Sequence, residues 1–516
     1  MLLTRLVEHA RTDPDTLAPF YAQKTVRWVV ELNPDGSLAS QHLTPLADSS
    51  DRSRRNGVVH AVPYVQRSGT ASKPMLIVDT AEYALGWASD PAREAKAAEY
   101  HRAFQALVAR WHAAAQAPPA TTLHAFLAGG HTASLVRPEE LAGSQLVAFR
   151  CAGRFLHATE EARRFWAAEA GGRKGSARTG LCLVCGQQGQ LLQTIPQQLP
   201  ARLVPGATQT AALVSFNEAT HGFDLNKQLA HTPICVTCGL QAMSMLERLL
   251  TGTSSSTLPG QDARLAWWVT NGVAFSLETL DDPHPGQVAE LLGSAARGRE
   301  PADTELGVFC GLVVGGNVSR VVVREWIELP LPHIKANLGR WFQDHAMVDP
   351  WTGETRYISA GRLAIVSERW TRGRGDQHGS YAKLGARGAD RPDGVYRGLL
   401  AAALLARPLP PKLLAHTVHR IRTDGRLDTE RAALIRLALV RRPDTPNPEA
   451  YMPTLNPEHR QPSYLAGRIF ALLEDLQRSA ATARGDDAPN TTFADRYLTS
   501  PAPTTRPARA WSPMSR

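Results

Sequence analysis

The stretch PYVQRSGTASKPMLIVDTAEYALG, Pro63 to Gly86, sets two basic side chains, Arg67 and Lys73, in a Ser/Gly/Thr-rich loop closed by Pro74. The apolar run Met75–Val78 follows and predicts a strand. Behind it comes a short helical piece carrying Asp79, Glu82 and Tyr83. A cationic loop pinned between ordered elements has the shape to meet a phosphate backbone or a base edge. Composition by itself describes a solvated surface loop as well, so the order of residues and the rest of the chain have to decide.

Upstream, MLLTRLVEHARTD reads as a short amphipathic helix, its charges interrupting the apolar residues as no secretory signal would. TVRWVVELNPDGSL predicts a strand entering a turn at Asn33–Gly36, and VVHAVPYV a second strand. Between them DRSRRNG is polar and basic. Downstream, Ala97, Tyr100, Phe104, Leu107 and Trp111 recur at helical spacing within Asp90–Gln116. Gly171–Gly180 reads as a flexible stretch and Gly252–Gly260 as an exposed loop. RLAWWVT, ELGVFCGLVVGG and RVVVREWIEL predict three strands, and HIKANLGRWFQDH a helix.

Helices are expected over 411–422, 429–442 and 463–482, with Asp428 or Thr429 capping the second. In the first, Leu413, Leu414, Thr417, Val418 and Ile421 share a face from which Lys412, Arg420 and Arg422 are excluded. Tyr83, Trp87 and the pair Trp267-Trp268 read as core aromatics, and Cys151 and Cys310 as core cysteines.

The 516 residues are enough for about two to four domains, and 43% hydrophobic with 20% charged residues is the balance of a folded globular chain. No apolar run approaches the roughly 18 residues that span a bilayer. Six cysteines in this length do not make a disulfide scaffold, which points to a reducing cytoplasm. The net charge of +9 is uneven. Residues 362–516 hold 25 Lys/Arg against 15 Asp/Glu, leaving 32 against 33 for residues 1–361. A basic C-terminal third on a near-neutral body is an electrostatic footprint for a polyanion.

Four cysteines form the second signal: Cys182-Leu-Val-Cys185-Gly and Cys235-Val-Thr-Cys238-Gly. Each CxxC turn lets two thiolates face one ion, and two such turns complete a tetrahedral sulfur site for structural zinc. The 49 residues between the pairs make the site the brace of a sizeable insertion. Zinc-braced HNH nucleases also use two CxxC pairs with His and Asn between them, and His221, Asn226 and His231 lie between the pairs here, but the Asp-His or His-His pair that opens their metal finger is absent. A stand-alone zinc-ribbon DNA-binding protein is the other alternative. No GxxxxGK[ST] loop or GxSxG elbow occurs, and no convincing pair of carboxylates, so no enzyme activity is expected.

The Arg-Ser-Gly, Lys-Pro, apolar run, Asp, Tyr and Leu-Gly of residues 67–86 resemble the N-terminal signature of the large-subunit family of type I-C CRISPR Cascade complexes. The likeness extends through PFYAQKTVRWVVELNPDGSL, TAALVSFNEATHGF, RLAWWVTNGVAFSLE, RVVVREWIELPLPHIKANLGRWFQD, LPPKLLAHTVHRIRTDGRLDTERAALIRLALVRR, MPTLNPEHRQPSYLAGRIFALLEDLQRSA and FADRYL, in that order. It implies a non-catalytic, crRNA-guided scaffold that recognises the PAM of target double-stranded DNA, supports the R-loop and recruits the helicase-nuclease in antiviral defence. Its implied partners are the backbone and repeat-processing subunits, a small subunit, the target DNA and the helicase-nuclease, with no membrane.

Carried onto this chain, Arg52, Arg54, Arg55, Arg67, Ser68, Gly69 and Lys73 become the DNA- and PAM-binding candidates. Lys412, Arg420, Arg422, Arg426, Arg431 and Arg436 become the candidates for holding the displaced strand. The family often lacks one or both cysteine pairs, so zinc rests on spacing alone.

The expected fold is α+β. A mixed α/β body (1–180) carries a zinc-braced CxxC…CxxC insertion (181–250) and a central β-rich part (251–370). A flexible loop (371–397), a basic α-helical C-terminal domain (398–497) and a disordered tail (498–516) follow.

Overall fold

Alternating β-branched and aromatic residues make Tyr21–Leu32 (β1) the organising strand of the N-terminal region, and the helix Leu2–Thr12 (α1) precedes it. The computed structural model describes residues 2–13, 17–46, 57–65, 67, 71–88, 90–216, 218–260, 262–296, 307–349, 352–373, 378–386, 390–445 and 447–485. Its contacts divide the chain into two units. The first comprises 1–255, 263–272 and 312–326, and the second 256–262, 273–311 and 327–516.

In the first unit β1 pairs antiparallel with Thr44–Pro45 (β2) and Val58–Pro63 (β3). On its other side it runs parallel to Leu146–Cys151 (β5), which also pairs with Asp79–Thr80 (β4) and Arg154–Phe155 (β6). The turn expected at Asn33–Gly36 forms, with Gly36 at φ 87 and its N–H donating 3.0 Å to Asn33 O. The helices Ala81–Ala84 (α2), Glu94–Ala115 (α3), Pro118–Ala128 (α4) and Glu160–Lys174 (α5) complete this part. Phe104, Leu107, Val108 and Trp111 of α3 are buried as their spacing requires, in one cluster with Trp28, Phe126, Phe149 and Trp166. Burial of such side chains contributes about 1.5–3 kcal/mol each.

Three local expectations are corrected. Met75–Val78 is a buried turn, not a strand: Val78 N–H donates 2.7 Å to Leu76 O, and Ile77 sits at φ 65. The Gly171–Gly180 stretch is not flexible coil. α5 runs through it to Lys174, and Gly175–Leu181 (β7) pairs antiparallel with Gln188–Leu192 (β8). The two strands expected within 305–329 are one strand, Val308–Pro330, whose run from Phe309 to Gly315 is buried throughout. It runs parallel to Ala207–Ala212 (β9) and shares a sheet with Arg264–Val269, where Trp267 and Trp268 are core residues as expected. A three-residue strand, Ser255–Thr257, falls inside the loop expected at 252–260. The helix Val236–Thr251 (α6) packs on α1.

The second unit is mainly helical: Pro285–Ala296 (α7), Leu331–His345 (α8), Ala360–Ile365 (α9), Val395–Leu405 (α10), Pro411–Asp424 (α11), Thr429–Val440 (α12) and Pro462–Ala483 (α13). α8 is its central element, packing against α7, α10 and α12 through Ile334, Leu338, Trp341 and Phe342. Asp428 caps α12 as expected, its carboxylate accepting the Arg431 N–H at 3.0 Å. A short hairpin pairs Trp370–Thr371 with Ser380–Tyr381. The tail from Leu498 lies outside the described residues.

His345, at the end of α8, is fully buried, its Nδ1 2.7 Å from Trp341 O and its Nε2 accepting the Ile358 N–H at 3.2 Å. Burial pushes its pKa down to about 3. The folded form therefore keeps the ring neutral while the unfolded chain takes up a proton below pH about 6.5. Its contribution to stability is present above that pH and falls by about 1.4 kcal/mol per unit as the pH drops toward 3. Denaturant midpoints measured at pH 7 and pH 5 are expected to fall accordingly. A His345→Gln chain that keeps the full pH dependence would assign the loss to other groups.

Candidate metal centre and nucleic-acid surfaces

The first cysteine pair lies in the turn between β7 and β8. Cys182 N–H donates to Gln187 O and Gly186 N–H to Cys182 O, both at 2.9 Å, and Gly186 takes φ 69 where a side chain would be strained. The second pair opens α6: Cys235 is its N-cap, and its Sγ accepts the Cys238 N–H at 3.5 Å. Backbone bonds from Leu183 to Pro233 O and from Leu192 to Ile234 O, both 2.9 Å, hold the hairpin against the segment entering α6.

The four ligand sulfurs of Cys182, Cys185, Cys235 and Cys238 all lie within 4.8 Å of one another, with Cys185 and Cys235 at 4.0 Å. Thiolates about 2.3 Å from a tetrahedral zinc stand about 3.8 Å apart, so the donor set fits such an ion. Burial pushes the Cys182 thiol up, but the N–H groups of Cys235, Cys185 and Val184 outweigh it and bring its pKa down to about 7. Burial raises Cys235 and Cys238. The expected ligands are thus brought together. Among the described residues no other cluster of three or more such groups occurs. Of the nuclease-like residues, Asn226 Nδ2 lies 3.0 Å from His231 Nε2. Cys310 is fully buried and Cys151 half-buried.

In the N-terminal loop, Arg52, Arg54, Arg55, Ser68 and Gly69 lie outside the described residues. Arg67 and Lys73 are described and brought together: Arg67 Nε donates 2.8 Å to the Lys73 carbonyl. The Arg67 Nη2 reaches both oxygens of Asp79 at 2.5 Å, and its guanidinium lies 4.1 Å from the centroid of the Tyr83 ring. Tyr83 in turn stacks on Tyr100 at 4.2 Å. Asp79, with its side chain 1% exposed, also accepts the N–H groups of Met75 and Thr80, each at 2.7 Å. Burial pushes its carboxyl up in pKa, and Arg67 opposes that. Lys73 is half-buried.

The six C-terminal cations divide by environment. Lys412, Arg422 and Arg426 are exposed. Arg426 pairs with Asp428 at 3.3 Å and lies over Trp370. Arg431 has a fully buried side chain that donates to Val366 O, Arg426 O, Glu368 O and Asp424. Arg420, 6% exposed, binds Asp424 and Asp390. It therefore points into the helix packing, whereas Val418, expected on the apolar face, is 40% exposed. Arg436 donates to the carbonyls of Tyr451 and Gln343. Arg431 and Arg420, both expected to hold the displaced strand, are instead buried with hydrogen bonds inside the fold, apart from Arg420 Nε, which is buried without a partner among the described residues.

The family model of the CRISPR-associated protein Cas_Csd1 matches residues 3–516. The chain belongs to this family. No curated protein matches it.

Within this Cas_Csd1 chain, two groups escaped the sequence reading. Asp79, read only as part of a short helical piece, is the buried partner of Arg67. Asp424 is a hub, taking Arg420, Arg431 and the Trp370 N–H at 2.9 Å. Burial raises its pKa, but the bonds from Arg420, Trp370 and Arg431 hold it below the usual carboxylate range. The Arg420/Asp424 spacing of one helical turn was the available signal; the contact with Arg431 crosses between helices and leaves none. No described helix is long and apolar enough to cross a membrane.

Proposed function

We propose that this chain is the non-catalytic large subunit of a type I-C Cascade surveillance complex. In this reading it recognises the PAM of target double-stranded DNA, supports R-loop formation and recruits the helicase-nuclease. The observation that carries the reading is the family match across residues 3–516. The excess of 25 basic over 15 acidic residues in 362–516 supports it, as a polyanion partner requires. Base pairing with the crRNA reads the target, so the protein is left the PAM and the backbones.

In this reading Lys73 and Arg67 belong to the PAM-side loop, and the exposed Lys412, Arg422 and Arg426 hold the displaced strand. Zinc, bound by Cys182, Cys185, Cys235 and Cys238, supplies a structural crosslink between the hairpin and the start of α6. The partners are the crRNA-bearing backbone and repeat-processing subunits and the small subunit.

Strand opening tests the reading. With a crRNA complex reconstituted with and without the chain, permanganate-reactive thymines on the displaced strand of a supercoiled target are expected only when the chain is present. Equal reactivity without it contradicts the proposal. Lys412→Ala combined with Arg422→Ala is expected to weaken binding on all sequences alike and to flatten the log–log salt dependence by about one unit per residue. An unaltered slope would make both residues plain solvated surface.

A further inference from the structure

We infer that Asp79 is the positioning residue of the Arg67–Lys73 loop and that Arg67 is its strut, not a group that reads DNA. The inference rests on the proposed PAM role of this loop.

The geometry points to it through where each bond goes. One buried carboxylate gathers Arg67 Nη2, Met75 N–H and Thr80 N–H. Through the guanidinium it also reaches the Lys73 carbonyl, which accepts Arg67 Nε. Residues on both sides of the loop are therefore tied to one point in the core. Tyr83 closes the arrangement, with its ring under the guanidinium and its hydroxyl 3.4 Å from the Lys73 N–H.

The left-handed Ile77 is the local cost of this tie. The chain must reverse between Met75 and Asp79 so that a carboxylate can accept a backbone N–H four residues earlier, and a β-branched residue takes φ 65 to do so. If Arg67 left to meet a phosphate or a guanine edge, the buried Asp79 would lose its cation and would have to stay charged unpaired or take up a proton, and either is costly. Contact with the PAM then falls to Lys73, whose carbonyl the clamp holds.

The test uses the reconstituted crRNA complex and matched duplexes with a PAM or a scrambled flank, reading the ratio of the two affinities. Asp79→Asn and Arg67→Gln are each expected to lower this ratio about tenfold, the size of one lost base contact. The double variant is expected to be no worse than either single, because the two act as a unit. In the free full-length chain the Met75 and Thr80 amides are expected to exchange faster in Arg67→Lys. That variant keeps a cation beside Asp79 and so remains folded even where Asp79→Asn does not; unchanged exchange there overturns the clamp. A ratio that falls in Arg67→Gln but holds or rises in Asp79→Asn makes Arg67 a direct reader and overturns the inference. A ratio sensitive to Lys73→Ala alone overturns the positioning role while the loop's PAM role stands. A ratio insensitive to all three removes the PAM role itself, and the inference with it.

Discussion

Cys182→Ser is expected to abolish metal binding and to unravel the β7–β8 hairpin from the N-terminus of α6. The backbone bonds to Pro233 and Ile234 and the bridge between Leu191 and Cys235 would then be left to oppose the loss without the metal. Structural zinc in small cysteine sites contributes apparent free energies of about 10–16 kcal/mol, so the effect should be among the largest a single atom can produce in this fold. Elemental analysis of the purified chain is expected to find one zinc per chain in the native protein and none in Cys182→Ser. Limited proteolysis should open the segment 182–235 in the variant. Cys151→Ser, at a half-buried site outside the cluster, should keep both the metal and the resistance. A native chain without metal would end this part of the account.

The second large effect is at Arg431. Its side chain is fully buried and held by three carbonyls and Asp424, a carboxylate that Arg420 also grips. Removing one partner of a buried charge pair costs about 3–5 kcal/mol; here Arg420 still pairs Asp424, but the carbonyls of Val366, Arg426 and Glu368 lose their charged donor in the core. Arg431→Gln is therefore expected to lower the unfolding free energy of the chain by about that amount, read as a lower denaturant midpoint at unchanged m. DNA affinity per folded molecule should not change. A stable Arg431→Gln chain with weakened DNA binding would restore Arg431 as a strand-holding residue.

These two sites also mark how much was legible beforehand. The cysteine cluster could be read because CxxC fixes both the turn and the ligand direction locally, and the four sulfurs meet as the spacing required. The α3 core face and the α12 cap were legible for the same reason, since periodicity and N-capping are properties of a few consecutive residues. Arginines were not. Arg431 and Lys412 look alike in sequence, and only the packing of α12 against α11 and the segment after α9 buries one of them. The Met75–Val78 run failed differently. Its composition favours a strand, but Asp79 captures the Met75 N–H, and the run turns back on itself. Gly171–Gly180 failed because glycine content describes local freedom, whereas pairing with β8 imposes the strand from outside.

The central claim is that this chain supplies PAM recognition to a crRNA-guided complex. Binding of the reconstituted complex to matched duplexes carrying a randomised flanking library, with and without the chain, tests it most directly. Enrichment of a short flanking motif is expected only when the chain is present. Equal binding across the library in both cases, or the same enrichment without the chain, would contradict it.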